Sequence, residues 1–188
     1  MSSLLLTDRM KLYLVFLHLI TVALGVEVYI LGVQNQRMKE RQDYFAGGSL
    51  KEGDAFVTDG LIAATAVRGH SSEMSGRQLI FVFSTKCKFC KASIEKWHEI
   101  VLRAKKQNLT VFAISMDSVS ITRLYVEHNR LSDCDVFVPV NVREFSRQNR
   151  IVGVPVTILR SQVGTVESVW TGSIEQQQKE EIMNKISS

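Results

Sequence analysis

Hydrophobic positions along the chain change pattern twice. Residues 12–33 (LYLVFLHLITVALGVEVYILGV) are apolar except for a few positions, notably His18, Thr21 and Glu27. As a helix this run would extend roughly 33 Å, enough to cross a hydrocarbon core of about 30 Å. Residues 34–54 are polar, carry both signs of charge and contain Gly47-Gly48-Ser49, which reads as a helical stalk giving way to a flexible linker. Beyond Gly53 short strand and helix patterns alternate. Strands are expected over 55–57 and 61–67, followed by a polar loop over 68–77. Residues 78–84 (QLIFVFS) form a nearly continuous apolar run of β-formers, the pattern of a strand covered on both faces.

Cys90, Ile94, Trp97, Val101 and Ala104 recur at helical spacing and predict a helix ending near Gln107 and Asn108. A second buried strand (LTVFAISM) is expected over 109–116. Asp117 or Ser118 then caps a helix whose inward face would carry Ile121, Leu124, Tyr125 and His128. A strand over 136–140, a short helix over 141–149 and a hairpin of 156–161 and 165–170 around Gln162-Val163-Gly164 follow. Ser173-Ile174-Glu175-Gln176 reads as a capping box opening a last helix. Alternating strands and helices that end in an antiparallel hairpin imply an α/β domain with a mixed sheet and helices on both faces.

The 188 residues, 45% hydrophobic with only 2 Pro, suit one packed domain plus an anchor and exclude disordered, collagen-like and disulfide-dense classes. The expected plan is a tail over 1–11, a transmembrane anchor over 12–33, a linker over 34–52 and a folded domain over 53–188. A cleaved signal peptide is the alternative for the N-terminus, because Ala23-Leu24-Gly25 loosely fits a small-x-small site. The apolar run nevertheless continues from Val26 to Val33 beyond that cut. Arg9 and Lys11 on one side balance Arg37, Lys39 and Arg41 on the other, so charge leaves the orientation open. His18, Thr21, Gly25 and Gly32 share a face of small and polar groups that would suit packing against another membrane helix, or would simply be tolerated in a lone anchor. The net charge of +4 comes from Lys and Arg scattered along the chain, which argues against a nucleic-acid partner.

Chemistry concentrates in Ser84-Thr85-Lys86-Cys87-Lys88-Phe89-Cys90-Lys91, where a buried strand meets a helix. Unpaired N–H groups and the partial positive charge of a helix N-terminus stabilise a thiolate at Cys87, and Lys86, Lys88 and Lys91 add cationic neighbours. Cys87 is therefore expected to attack. Cys90, one turn later on the buried face, is expected to resolve a mixed disulfide. A structural zinc site needs four ligands, and no second pair exists: Cys134 stands alone and the four His are dispersed. Two soft sulfurs would also suit Cu(I), although no His is well placed beside them, and a purely structural pair is the plainest alternative. Cys134, between Asp133 and Asp135, reads as a buried structural thiol whose pKa the two carboxylates would raise; a role in partner disulfides or a three-cysteine relay is the other reading.

Gly153-Val154-Pro155-Val156-Thr157 stands immediately before a predicted strand, where Pro removes a donor the ladder would use, and X–Pro bonds are the usual place for a cis peptide. The CxxC at a strand-to-helix junction with this later Val-Pro segment resembles the thioredoxin superfamily over about residues 53–188. With the anchor and linker it looks like the TlpA/ResA group of tethered thiol–disulfide oxidoreductases, with maturation proteins of the MauD type as a related possibility. The resemblance implies a cis proline packed against the cysteine pair, Val154 and Pro155 shaping a groove for a client's extended chain, and an inserted helix and strand over 118–140. It implies a membrane-anchored oxidoreductase facing the periplasm or outer face that acts on exported cysteine-containing proteins, in maturation of cytochromes or other redox enzymes. A membrane or soluble thiol–disulfide partner would recharge it, and no cofactor beyond the Cys87 and Cys90 pair, nor a metal, is implied.

The chain also departs from that pattern. Lys86 stands where Trp is common, and Lys88-Phe89 lacks the frequent proline. Phe81, six residues before Cys87, occupies the position of a buried acid or Asn, and Ser93 stands where some relatives place Glu. Proton transfer at Cys90 must then use another group or water; Glu95 is nearest, on a face that reads as solvated. A peroxidase of the peroxiredoxin kind would need a Pro and Thr ahead of one peroxidatic cysteine, and Ser84-Thr85-Lys86-Cys87 lacks that Pro.

Overall fold

The computed structural model describes residues 2–46, 48–65, 76–129, 131 and 133–187, without the side chains of 2–9 and 37–46. The chain divides into two compact units, Met1–Gly47 and Gly48–Ser188. The first is one helix, α1 (Ser2–Ala46). Its stretch Met10–Gln36 is long and apolar enough to cross a membrane. Within it the Thr21 hydroxyl donates to the His18 carbonyl at 2.8 Å, the usual way a hydroxyl is satisfied inside a helix. The side chains of Arg9, Arg37, Lys39 and Arg41, which flank the apolar run, lie outside the described residues.

The second unit is built on a six-stranded mixed sheet, with strands β1 (Leu61–Thr65), β2 (Gln78–Phe83), β3 (Thr110–Ser115), β4 (Asp135–Pro139), β5 (Val156–Arg160) and β6 (Val166–Thr171) in the order β1-β4-β3-β2-β5-β6. β2 runs parallel to β3, and β3 to β4; the remaining pairings are antiparallel. The helices are α2 (Lys88–Lys106), α3 (Val119–His128), α4 (Val142–Gln148) and α5 (Gln176–Ser187). Because side chains alternate along a strand, β2 feeds two cores. Leu79, Phe81 and Phe83 join α2, α5 and Val126 on one face. Ile80 and Val82 join Phe112, Phe137, Phe145 of α4 and Phe56 on the other. All six β2 side chains are buried, as the continuous apolar run predicted.

Local chemistry explains the helix ends. α2 stops in a Schellman arrangement: Asn108, at φ 55°, sends its N–H to Lys105, and the Leu109 N–H bonds the Ala104 carbonyl at 3.1 Å. α4 ends likewise at Arg150, φ 50°, with the Ile151 N–H on Ser146. In the β5–β6 hairpin Gly164 takes φ 94°, which a side chain would resist, and its N–H bonds the Ser161 carbonyl.

Several expectations are corrected. Residues 55–57 form no strand: Ala55 makes an isolated bridge to Thr165, and Val57 is held by Asn149, whose side chain accepts its N–H at 2.7 Å and donates to its carbonyl at 3.0 Å. Of the expected strand over 61–67 the described part is β1; Ala66, Val67 and most of the 68–77 loop lie outside the described residues. The expected stalk is helical to Ala46, but the folded unit starts earlier than Gly53: Leu50 is already buried in the second core, its N–H on the Arg150 carbonyl. α3 buries Thr122 and Val126, not the face of Ile121 and Leu124, which are 45% and 59% exposed. Thr122 enters the core because its hydroxyl bonds Ser115 Oγ at 2.7 Å. The capping box expected at Ser173 is shifted by two residues: α5 starts at Gln176, and the Glu175 N–H meets the Gln178 side chain at 3.3 Å. Ser173 falls short because the Ile174 N–H is drawn inward to Ser93.

Candidate active site

The site forms where β2 and β3 end side by side. The Met116 N–H extends the parallel pairing to the Phe83 carbonyl at 2.8 Å, and the Thr85 N–H reaches Asp117 Oδ2 at 2.7 Å. This clamp fixes the turn that leads into α2. Cys87 is the N-cap of α2 with extended backbone (φ −85°, ψ 112°), and its Sγ accepts the Cys90 N–H at 3.3 Å. A sulfur thus takes the capping role that a Ser or Asp oxygen usually fills, and its charge would face the positive end of the helix dipole.

Val154 arrives from the other side. Its peptide bond to Pro155 is cis, and its carbonyl accepts the Cys87 thiol at 3.5 Å. Cys87 is half-buried, Cys90 is fully enclosed, and all three cysteines are free thiols. Burial, then the hydrogen bond and charge of Cys87, push the Cys90 thiol up to about 12. Lys86, Lys88 and Lys91 are exposed around the pair; the Lys88 ammonium lies over the Phe89 ring, 5.1 Å from its centre. No hydrogen bond joins these lysines to either sulfur among the described residues.

Phe81 is buried in the same core as Cys90, its ring 5.1 Å from that of Trp97. Ser93 is fully buried and committed: its hydroxyl donates to Phe89 at 3.0 Å and accepts the Ile174 N–H at 3.1 Å. Glu95 is exposed. Two residues that the sequence assigned to a helix cap and a helix face, and not to the site, complete the surroundings. Asp117 is the clamp just described, and its place directly after a strand parallel to β2 was the available signal. Tyr125, like Cys87, packs against the core that holds Cys90; nothing in its spacing distinguishes it from an ordinary core aromatic.

Cys134 is buried, with its thiol pushed up to about 12. Burial is the main cause and Lys105 opposes it; Asp135 and Asp133 raise it as expected, by smaller amounts. Asp133 is instead engaged by His98 at 2.6 Å, and His128 bonds the Leu124 carbonyl, so neither imidazole is placed on the dithiol. Among the described residues no three His, Cys, Asp or Glu converge as a metal site requires. His70 lies outside them.

No family model matches the chain, and no curated protein matches it in sequence. Solved structures match the fold. The thioredoxin domain of a thiol-disulfide oxidoreductase of Bacteroides vulgatus is 16% identical, with TM-score 0.59 over 74% of this chain and 100% of that one. A DsbE-type thiol:disulfide interchange protein of Chlorobium tepidum is also 16% identical, with TM-score 0.58 over 74% of this chain and 97% of that one. AhpC of Mycobacterium tuberculosis reaches TM-score 0.58 at 15% identity, covering 74% and 94%. The fold is therefore thioredoxin-like. Since differently named proteins share it at equal similarity, the chemistry must be argued from the site.

Proposed function

We propose that this chain is a thiol–disulfide oxidoreductase, anchored in a membrane by residues 12–33, whose Cys87 and Cys90 exchange disulfides with exported proteins. The observation that carries the reading is the capped sulfur: Cys87 accepts the Cys90 N–H at the head of α2, with the second thiol one helical turn behind it. That spacing lets one sulfur attack and the other displace.

In the reducing direction the Cys87 thiolate attacks one sulfur of a client disulfide, and the other client sulfur leaves with the electron pair and takes a proton from water. Cys90 then loses its proton and attacks Cys87. The Cys87–client bond breaks, and the departing client sulfur takes up a proton. The client gains two electrons and two protons, and the protein is left with a Cys87–Cys90 disulfide. A membrane-bound or soluble dithiol partner reverses this last bond; the same steps run backwards oxidise a client. The two sulfurs carry both electrons, so no further cofactor takes part.

Ionised Cys87 no longer donates to Val154, and that carbonyl is then free to accept an N–H from a client's extended chain. Val154 and Pro155 form this wall of the client groove, and Lys86, Lys88 and Lys91 favour the thiolate through a solvent-screened field. The apolar stretch Met10–Gln36 supports membrane attachment. An N-terminal anchor followed by a redox domain favours a periplasmic or outer-face position, where client disulfides persist.

The test is trapping in cells with the full chain. Cys90→Ser is expected to accumulate mixed disulfides with other proteins, visible as slower bands on non-reducing gels, and Cys87→Ser to form none. Equal absence of such bands in both variants would count against exchange, and peroxide consumption needing Cys87 alone would assign the site to a peroxidase.

A further inference from the structure

Resolution requires a fully enclosed sulfur to carry negative charge for a moment, and the usual helpers are missing. Phe81 offers no carboxylate, the Ser93 hydroxyl is spent on Phe89 and Ile174, and Glu95 faces solvent. Tyr125 is different. Its ring packs against Phe83, centroids 5.9 Å apart, and joins Cys87 at the edge of the core that contains Cys90. Its hydroxyl is shut off from solvent and has no hydrogen-bond partner among the described residues. A buried unpaired hydroxyl costs stability, so phenylalanine would serve better if packing were the only demand.

Both sulfurs belong to the same cluster: Cys90 lies within the core, and Cys87, like Tyr125, packs against it. Burial first, then the charges of Cys90 and Cys87, push its ionisation upward, so it stays protonated and remains a donor. The other charged groups nearby are otherwise placed: Asp117 accepts from Thr85, Arg123 on the same helix donates to the Ala64 carbonyl, Glu127 is exposed, and Lys86, Lys88 and Lys91 stand in solvent. Trp97 Nε1 is also buried and unpaired, but Trp97 sits two turns along α2 from Cys90, roughly 10 Å along the axis.

We propose that the Tyr125 hydroxyl donates a hydrogen bond to the sulfur of Cys90 as that thiol ionises to resolve the mixed disulfide. The inference rests on the oxidoreductase reading above. Tyr125 keeps its own proton throughout. The Cys90 proton leaves to solvent, the Cys90–Cys87 bond forms as the Cys87–client bond breaks, and the released client sulfur is reprotonated from solvent.

Ellman's reagent separates the two sulfurs kinetically. With the reduced full chain in detergent micelles, attack by Cys87 releases one thionitrobenzoate, and attack by Cys90 on the resulting mixed disulfide releases a second. Tyr125→Phe keeps the ring and removes only the hydroxyl. It is expected to slow the second release about tenfold near neutral pH, with its pH profile moved up by about one unit, because each unit of pKa is tenfold in thiolate. The first release should stay as in the parent, and the thermal midpoint should hold or rise, because an unpaired buried hydroxyl is removed. A second release within twofold of the parent at every pH overturns the role of Tyr125, as does a variant in which both releases and the midpoint fall together. A parent protein that releases only one equivalent overturns the oxidoreductase reading itself, and Tyr125 with it.

Discussion

The thiol of Cys87 donates to the carbonyl oxygen of Val154 at 3.5 Å across 67 residues of chain, while the same sulfur accepts the Cys90 N–H at 3.3 Å. One atom therefore joins the head of α2 to the segment that precedes β5. It is also the sulfur that solvent can reach, since Cys90 and Cys134 are 0% and 5% exposed. Native reduced protein treated with iodoacetamide near neutral pH should gain a single carbamidomethyl group, on Cys87, by peptide mass spectrometry. Rapid modification of Cys90 or Cys134 before unfolding would contradict this enclosure.

Asp117 holds the turn before Cys87 through the Thr85 N–H. Asp117→Ala leaves that donor without its charged acceptor and should cost about 1–2 kcal/mol in urea unfolding. Asp117→Asn, which keeps an acceptor oxygen, should cost less. The alanine variant should also slow the first release of thionitrobenzoate, because the loosened turn no longer fixes the N-cap sulfur.

Ser93 ties α2 to the start of the α5 segment through the Ile174 N–H. Ser93→Ala strands that buried amide, and a loss of about 1–3 kcal/mol is expected. Ser93→Glu places a carboxyl where no solvent reaches, so it should unfold the domain, not supply a proton relay for Cys90. Circular dichroism across a denaturant series distinguishes the two variants.

Folding keeps Cys90 and Cys134 neutral, since the thiol of each is pushed up to about 12 from an ordinary 9.0. A raised folded pKa gives stability that is complete below the unfolded value and is lost as pH climbs toward the folded one. The reduced domain should therefore hold its urea midpoint up to about pH 9 and lose it between there and about pH 12. Lysines and tyrosines titrate in the same window, so the decisive measurement is the difference between parent and Cys134→Ala. The slope should be shallower in the variant, and identical slopes would remove Cys134 from the account.

The chain divides into Met1–Gly47, which holds the proposed anchor, and Gly48–Ser188, which holds the sheet and both cysteines of the pair. The full chain should sediment with membranes and resist high-salt and carbonate washing. A chain beginning at Gly48 should be soluble and keep the Cys87–Cys90 couple, read by alkylation of the reduced and oxidised forms. Release of the full chain by carbonate would argue against a spanning helix.

Local pattern alone determined much of this protein. The run QLIFVFS announced a strand buried on both faces, and Cys90, Ile94, Trp97, Val101 and Ala104 marked the inward side of α2, all of them buried. The two-residue spacing of Cys87 and Cys90 at that junction was equally legible, because N-cap position and helical phase depend on neighbours within one turn. Tertiary structure decided the rest. α3 turned Thr122 inward because Ser115, on another element, satisfies its hydroxyl, and α5 began two residues late because Ser93 captured the Ile174 N–H. Burial, not the adjacent acids, became the main influence on Cys134, and a buried Tyr125 hydroxyl was left unpaired on a side chain packed against the core that holds Cys90. Hydrogen-bond partners, exclusion of water and local fields are set by groups distant in sequence, and these appear only when the sheet brings its layers together.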